Sequence, residues 1–453
     1  MSKALFLITI VLFTIVYIKG RFRQDSRFLI TIFTIALTIR IICATLIFLL
    51  SWYDGSEGFF SGDESVYYKK AVNMAVARSA YSKNIFSNTP ELIGTSFAIN
   101  PFSLLASILI FAFGESLLLI KYLNSFVGAL LPVIIFLLAK TIFDNKKIAK
   151  ISAVLIAFLP SMIVWSSVGI KEPFIILMIA SIFYYYIKIQ KRFNFFYLVN
   201  ILVSAVVLFY LQANVVVILM LIYGLWFMFT KSTKFIKKEI LVLILILIGS
   251  YQFFTHQKTI RSGLYGIAMH QTLQYRAGNY RSARYELYPH KVFREYFFDF
   301  YQHLILPKNV YYSDNINTDY IKNSITGIRW LSFLISYCKG LIFVLFSPFP
   351  WSVKSVSQLI VYPQIVFWWV VTPCIIYGMI WSIRFKRSQT ILIILFIASI
   401  YSVLALTEGN IGSVFRHKDW VAPFCLMFAA IGINRFIFSR GTCRSTKLEL
   451  RKS

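Results

Sequence analysis

Long apolar runs separated by short basic segments dominate this chain. A helix needs roughly 17–25 apolar residues to cross a bilayer. Runs of that order fall at 4–18, 28–50, 117–139, 148–168, 173–188, 195–211, 214–230, 239–254, 362–383, 389–407 and 420–438. Two further stretches are poorer candidates, since 101–113 is short and 329–347 is interrupted by Lys339–Gly340. The pattern predicts an all-α fold, a polytopic transmembrane helix bundle of about 11 spans. The first run ends in Lys19–Gly20–Arg21 rather than in a small-residue cleavage site, so it reads as a retained helix.

The polar intervals assign sides. Lysine and arginine collect in short cytoplasmic loops. Six segments fit that description: 19–27, 140–150, 188–192, 231–239, 384–387 and the tail after 439, which together hold half of the 46 basic residues. All six share a side only if neither 101–113 nor 329–347 crosses. The expected topology therefore puts the N-terminus outside and the C-terminus in the cytoplasm, with those two stretches as juxtamembrane helices on the outer face. It divides the chain into a transmembrane module 1–254 with a first outer loop 51–116, an outer Tyr- and Arg-rich segment 255–361, and C-terminal helices with a basic tail, 362–453.

Composition agrees. Of 453 residues 58% are apolar and 14% charged, with a net charge of +28. Soluble domains carry roughly 45–50% apolar and about 25% charged residues. A soluble enzyme, a disordered tail and a disulfide scaffold are excluded. The positive balance serves topology, which removes nucleic acid as a partner and leaves membrane lipid. The scattered cysteines have no metal-ligand spacing and read as soft apolar residues.

Candidate chemistry sits on the outer side. Asp54, Glu57, Asp63 and Glu64 bring four of the 18 acidic residues into the first loop. Ser61–Gly62–Asp63–Glu64 opens a helical pattern, and Ser61 with Glu64 matches a capping box. Capping does not require Asp63, and Tyr67 and Lys70 follow on its face. Lys171–Glu172–Pro173 joins two spans at the same side; proline suits a first helical turn and glutamate its positive end, but the pair also suits a lipid phosphate. Arg416, His417 and Lys418 lie outside, against the charge trend. They read as interfacial anchors beside Trp420 or as a phosphate-binding group, in which arginine offers a fork, lysine a point charge and His417 support. Arg40 lies inside the second span, where an arginine faces the bundle interior as a structural pair or as part of a site. Asn200, Gln212 and Asn214 are weaker cases. Arg276, Arg281, Arg284, Lys291 and Arg294, interleaved with tyrosines, suit sugar and phosphate contact as well as ordinary anchoring.

In this order the motifs resemble the GT-C superfamily, membrane glycosyltransferases that include the aminoarabinose transferases and protein O-mannosyltransferases. The likeness rests on Gly62–Asp63–Glu64–Ser65–Val66–Tyr67–Tyr68–Lys69–Lys70–Ala71 after a span holding Arg40, on Asn100–Pro101 opening an apolar surface helix, and on Phe113–Gly114–Glu115–Ser116 before the next span. Lys171–Glu172–Pro173 stands where the family often places Lys-Asp or Asp-Pro. Ser347–Pro348–Phe349–Pro350–Trp351 and Gly409–Asn410 through Pro423 are similar to segments of bacterial relatives in polysaccharide loci. The likeness covers roughly 28–190 well and 340–438 loosely, and the extra first helix departs from it.

The resemblance implies an inverting transferase in a bacterial inner (plasma) membrane. It would move a sugar from a polyprenyl-phosphate carrier to a glycan, lipid or protein acceptor. Asp63 would be the general base, with Glu64 as its partner or cap; Arg416 and Lys418 would meet the leaving phosphate, with Lys171 as helper and Glu172, His417, Tyr67 and Arg40 around the substrate. No motif specifies a cofactor, and the carboxylates leave a divalent cation open. Two other readings compete: an O-antigen-type polymerase or ligase using diphosphate-linked glycans through the outer arginines, and a lipid-linked glycan transporter. The near absence of charge in the spans other than Arg40 argues against transport.

Overall fold

The computed structural model describes residues 2–80, 100–229, 330–346, 356–385, 387–408 and 411–438. Among these every regular element is helical: α1 (Ser2–Arg21), α2 (Ser26–Tyr53), α3 (Gly62–Ala80), α4 (Pro101–Phe113), α5 (Leu117–Phe143), α6 (Lys146–Ala157), α7 (Pro160–Ser166), α8 (Glu172–Lys191), α9 (Phe195–Phe229), α10 (Trp330–Phe346), α11 (Val356–Phe385), α12 (Arg387–Thr407), α13 (Ile411–Lys418) and α14 (Ala422–Ile433), the last running into a π-helical turn, Asn434–Phe438. Span 239–254, the Tyr- and Arg-rich segment and Ser347–Trp351 lie outside the described residues.

Seven of the described helices are long and apolar enough to cross a membrane, and an eighth arises if α6 and α7 form one span bent by 57°. Of the eleven expected runs, 239–254 lies outside the described residues, and the remaining differences have local causes. Run 148–168 breaks at Leu159, which is extended (ψ 119°) ahead of Pro160 at the first position of α7. A proline disfavours helical backbone in the residue before it and removes a helical donor. Run 420–438 is a shorter apolar helix.

Runs 195–211 and 214–230 fall within one helical element, α9, broken only by the non-helical Gln212 (φ −158°, ψ 80°). The chain nevertheless reverses there. Tyr185 stacks near Tyr197, with ring centroids 5.9 Å apart, and Lys171 bonds the Leu211 carbonyl, so the first half of α9 runs antiparallel along α8. Beyond Gln212, Tyr223 packs 4.7 Å from Tyr186. At 1.5 Å per residue, a straight helix would hold those rings about 40 Å apart. The second half therefore folds back along α8, and the turn expected at 212–213 is present.

Two compact units divide the chain. The first comprises Met1–Gly249, Pro373–Ile393 and Trp420–Ser453; the second comprises Ser250–Thr372 and Ile394–Asp419. In the first unit, three of the basic loops meet at one end. Asp25 bridges Lys140 and Lys146, at 2.5 and 2.7 Å, and Lys191 donates to the Thr141 carbonyl. At the opposite end Lys3 donates to the Glu115 carbonyl. Asn100 caps α4 through the Phe102 amide. Phe102 packs on Tyr67 and Phe174, and Phe113 packs on Phe6. Both ends of α4 thus meet the same end of the bundle, so α4 lies across it, as its length predicts.

The fifth basic segment breaks the pattern. Phe424 packs on Phe183, and Phe428 on Phe143 at the Asp25 end, so α14 runs toward that end. A Cβ at Gly378 would strike the Phe428 backbone, and one at Gly432 would strike that of Cys374, which is an antiparallel register. The last turns of α11 therefore run away from the Asp25 end and carry Arg384 with them. Counting loop charges assigns sides only when each intervening helix crosses once in the expected direction.

In the second unit, the Gly340 face of α10 lies on the Ala405 carbonyl of α12, where an added Cβ would come within 2.5 Å. Tyr337 and Ser402 share a hydrogen bond of 2.8 Å across the same contact.

Candidate functional site: a divided acidic pair

The first turn of α3 carries adjacent carboxylates that face different environments. Ser61 accepts a hydrogen bond from the Glu64 amide at 3.3 Å, the first half of the expected capping box. The Glu64 side chain returns to the Phe60 amide (2.7 Å), one residue before the cap. It also reaches inward: Oε1 accepts from the Gly169 amide at 2.6 Å and meets Lys121 Nζ at 2.7 Å, with neither charged side chain exposed. One carboxylate thus ties the first outer loop to α5 and to the turn between α7 and α8. Asp63, one residue earlier and on another face of the helix, is exposed.

The wall below Glu64 is polar and closely packed. On α5, Lys121, Asn124, Ser125 and Gly128 recur at helical spacing on one face. Asn124 donates to the Val168 and Ile170 carbonyls (2.5 and 2.7 Å), and Ser125 to that of Ser166. These bonds hold the short turn between α7 and α8, whose backbone groups no helix satisfies. A Cβ at Gly169 would come within 3.0 Å of Glu64 Oε1. A Cβ at Gly128 would overlap Ser166 and approach Arg40 Nε to 3.0 Å.

Arg40 is fully buried. Its Nε donates to Ser166 Oγ and its Nη1 to the Ala36 and Ala157 carbonyls, while Ser167 Oγ donates to the Arg40 carbonyl. Among the described residues no carboxylate pairs with it, so it links α2, α6 and α7 through neutral acceptors. Of the two roles the sequence left open, the contacts are those of a structural link.

Lys171 is also engaged. Its ammonium donates to the Leu211 carbonyl (2.7 Å) and to Gln212 Oε1 (3.0 Å). It covers the carbonyl end of the first half of α9, a position where cations stabilise a helix. Glu172 opens α8 and is buried there, followed by Pro173. Tyr67, four residues after Asp63, is half-buried against Phe102 at 5.7 Å. Burial and the Glu115 charge push the neighbouring Tyr68 hydroxyl above its usual range, which keeps it a neutral donor.

Arg416, His417 and Lys418 end α13, in the second unit. His417 Nδ1 meets Glu408 at 2.7 Å. Lys418 is buried, donates to the Leu345 carbonyl at 3.3 Å and lies over the Phe415 ring. Arg416 is half-buried. The arginines and lysine of the Tyr-rich segment lie outside the described residues. So the structure gathers Glu64, the 169–172 turn and Arg40 around one wall of the first unit, and groups Arg416–Lys418 in the second.

Sequence reasoning passed over Lys121, Asn124 and Gly169. The signal for the first two was the polar stripe on one face of an otherwise apolar span. It also treated the spans as nearly charge-free apart from Arg40; Lys121 is a second internal cation, neutralised by Glu64. Among the described residues no group of three or more His, Cys, Asp or Glu side chains gathers as a metal site. No family model matches the chain, and no curated protein matches it.

Proposed function

We propose that this membrane protein is a glycosyltransferase of the GT-C kind, multi-pass in a bacterial inner membrane with the Asp63 side outward. In this reading it takes a sugar from a polyprenyl-phosphate carrier and passes it to a glycan, lipid or protein hydroxyl. The observation that supports the reading is the division of the acidic pair. Glu64 is consumed as an anchor, so Asp63 is presented to solvent from a helix end fixed by two amides and a buried ion pair. A general base needs such a mount, because proton transfer depends on hydrogen-bond reach to the reacting hydroxyl.

The step balances simply. The acceptor oxygen bonds to the anomeric carbon as that carbon's bond to the carrier phosphate breaks; the hydroxyl proton goes to Asp63, and the phosphate leaves as an anion. Phosphate needs stabilised charge more than a proton, which calls for a guanidinium or ammonium. The sequence-based candidates for it are Arg416 and Lys418. Glu64 and Arg40 belong in this account to positioning.

The test is transfer by purified protein from undecaprenyl-phosphate sugars. Asp63→Asn should fold normally and lose about 10²–10⁴ in rate. Full activity in that variant removes the base assignment. Turnover with diphosphate-linked oligosaccharides alone would make the protein a polymerase or ligase instead.

A further inference from the structure

The end of the bundle opposite Asp63 carries a charge imbalance. Segments 19–27, 140–150 and 188–192 hold eleven lysines and arginines against two carboxylates, Asp25 and Asp144. Asp25 is already held by Lys140 and Lys146. Arg21, Lys140, Lys188 and Lys191 come from the C-terminal turns of three helices that meet at this end through the Asp25–Lys140 and Lys191–Thr141 bonds. Each helix end stabilises its own cations modestly, but that does nothing for the repulsion between them. Among the described residues, neither Arg21 nor Lys188 has a carboxylate partner.

The same corner is aromatic and partly exposed. Tyr17 and Arg21 lie one turn apart on α1, just ahead of Asp25, whose partner Lys140 is one residue from the Thr141 carbonyl that Lys191 of α8 holds. Tyr185 packs on Tyr197 of α9, and Lys188 Nζ lies 5.7 Å from the centre of the Tyr184 ring. Tyr17 is 48% exposed, and Phe13, one turn above it, is 71% exposed. An apolar wall, a belt of tyrosines and a cationic rim, in that order along the helices, is the profile of a phospholipid from chain to headgroup.

We infer that Arg21 of α1 and Lys188 of α8, with the intervening tyrosines, form a binding site for the phosphate of an acidic phospholipid. The lipid supplies the anion that this corner lacks, and its chains cover the exposed face of α1. The site is independent of the proposed transferase chemistry, which lies at the other end of the same helices.

The full-length protein is equilibrated with mixed phosphatidylcholine and phosphatidylglycerol vesicles, extracted, and its retained lipids are counted by native mass spectrometry. Phosphatidylglycerol should be retained above its share in the vesicles. Each of Arg21→Gln and Lys188→Gln should cut that preference about fivefold, as expected for one cation at an anionic surface. Arg21→Lys with Lys188→Arg should keep it, as should Lys69→Gln at the far end. Arg21 is exposed, so its single variant reads out even if the double variant folds poorly. Retention of both lipids in proportion, or a preference that survives Arg21→Gln and Lys188→Gln, overturns the site. Displacement of the lipid by inorganic phosphate alone overturns its assignment to a phospholipid.

Discussion

Glu64 and Lys121 form an ion pair of 2.7 Å to which solvent has no access. A buried pair owes its charges to each other: removing one partner strands the second in a medium that penalises it. Glu64→Gln should therefore destabilise the protein by about 3–5 kcal/mol. Combining it with Lys121→Met should recover a large part of the loss. Thermal unfolding of the two single variants and the double variant in one detergent gives the coupling; additive losses would mean that the pair does not hold α3.

The two glycines facing this wall differ in the room behind them. At Gly128 an added methyl overlaps the Ser166 side chain between packed helices, whereas at Gly169 it meets the tip of the Glu64 side chain. Gly128→Ala should cost about 1–3 kcal/mol by overpacking, and Gly169→Ala less. Midpoints of thermal unfolding rank the two, and the reverse order would contradict the packing.

At the reversal in α9, Lys171 covers carbonyls exposed by the break at Gln212. Lys171→Met keeps the side-chain length and removes the donor. The expected result is faster hydrogen exchange around 211–214, with little change in α5. If Lys171 serves only as a phosphate ligand, exchange there stays as in the parent protein.

Strong acid should release the opposite end. Burial pushes the Asp25 carboxyl upward, but its bonds to Lys140 and Lys146 outweigh this and hold it below the usual value of 3.8. A carboxyl lowered in the folded state contributes stability above its unfolded pKa and loses it as pH falls through the folded one. Asp25→Asn should therefore lower the melting temperature at neutral pH, and the gap from the parent should close below about pH 3.8. A gap that is constant with pH would show that the charge of Asp25 is not what joins these loops.

Much of the helical layout is legible in the sequence because apolar run length is a strong signal: α1, α2, α5 and α8 appear close to their predicted bounds. Local chemistry is legible too. Pro160 breaks its run, Asn100 and Pro101 open α4, and Ser61 caps α3. What stays hidden depends on long-range partners. Ser61 and Glu64 read as a cap, but nothing local says that Glu64 reaches a glycine amide 105 residues away. Arg40 announces itself as costly, yet its acceptors are backbone carbonyls and a serine, which carry no mark in a sequence. Arg384 misleads because its side depends on the direction in which α11 packs against α14.

The Glu64 anchor also sets an order of assembly. As the chain emerges, Lys121 enters the bilayer with α5 while Glu64 has already been made, so the cation can be neutralised as it is inserted. The Gly169 amide comes later, after α6 and α7. Until then only the first of these two long-range bonds of Glu64 can form, and synthesis past Ile170 completes its anchorage. A nascent chain halted before that turn should leave α3 open to proteases that cannot cut it once the turn is in place.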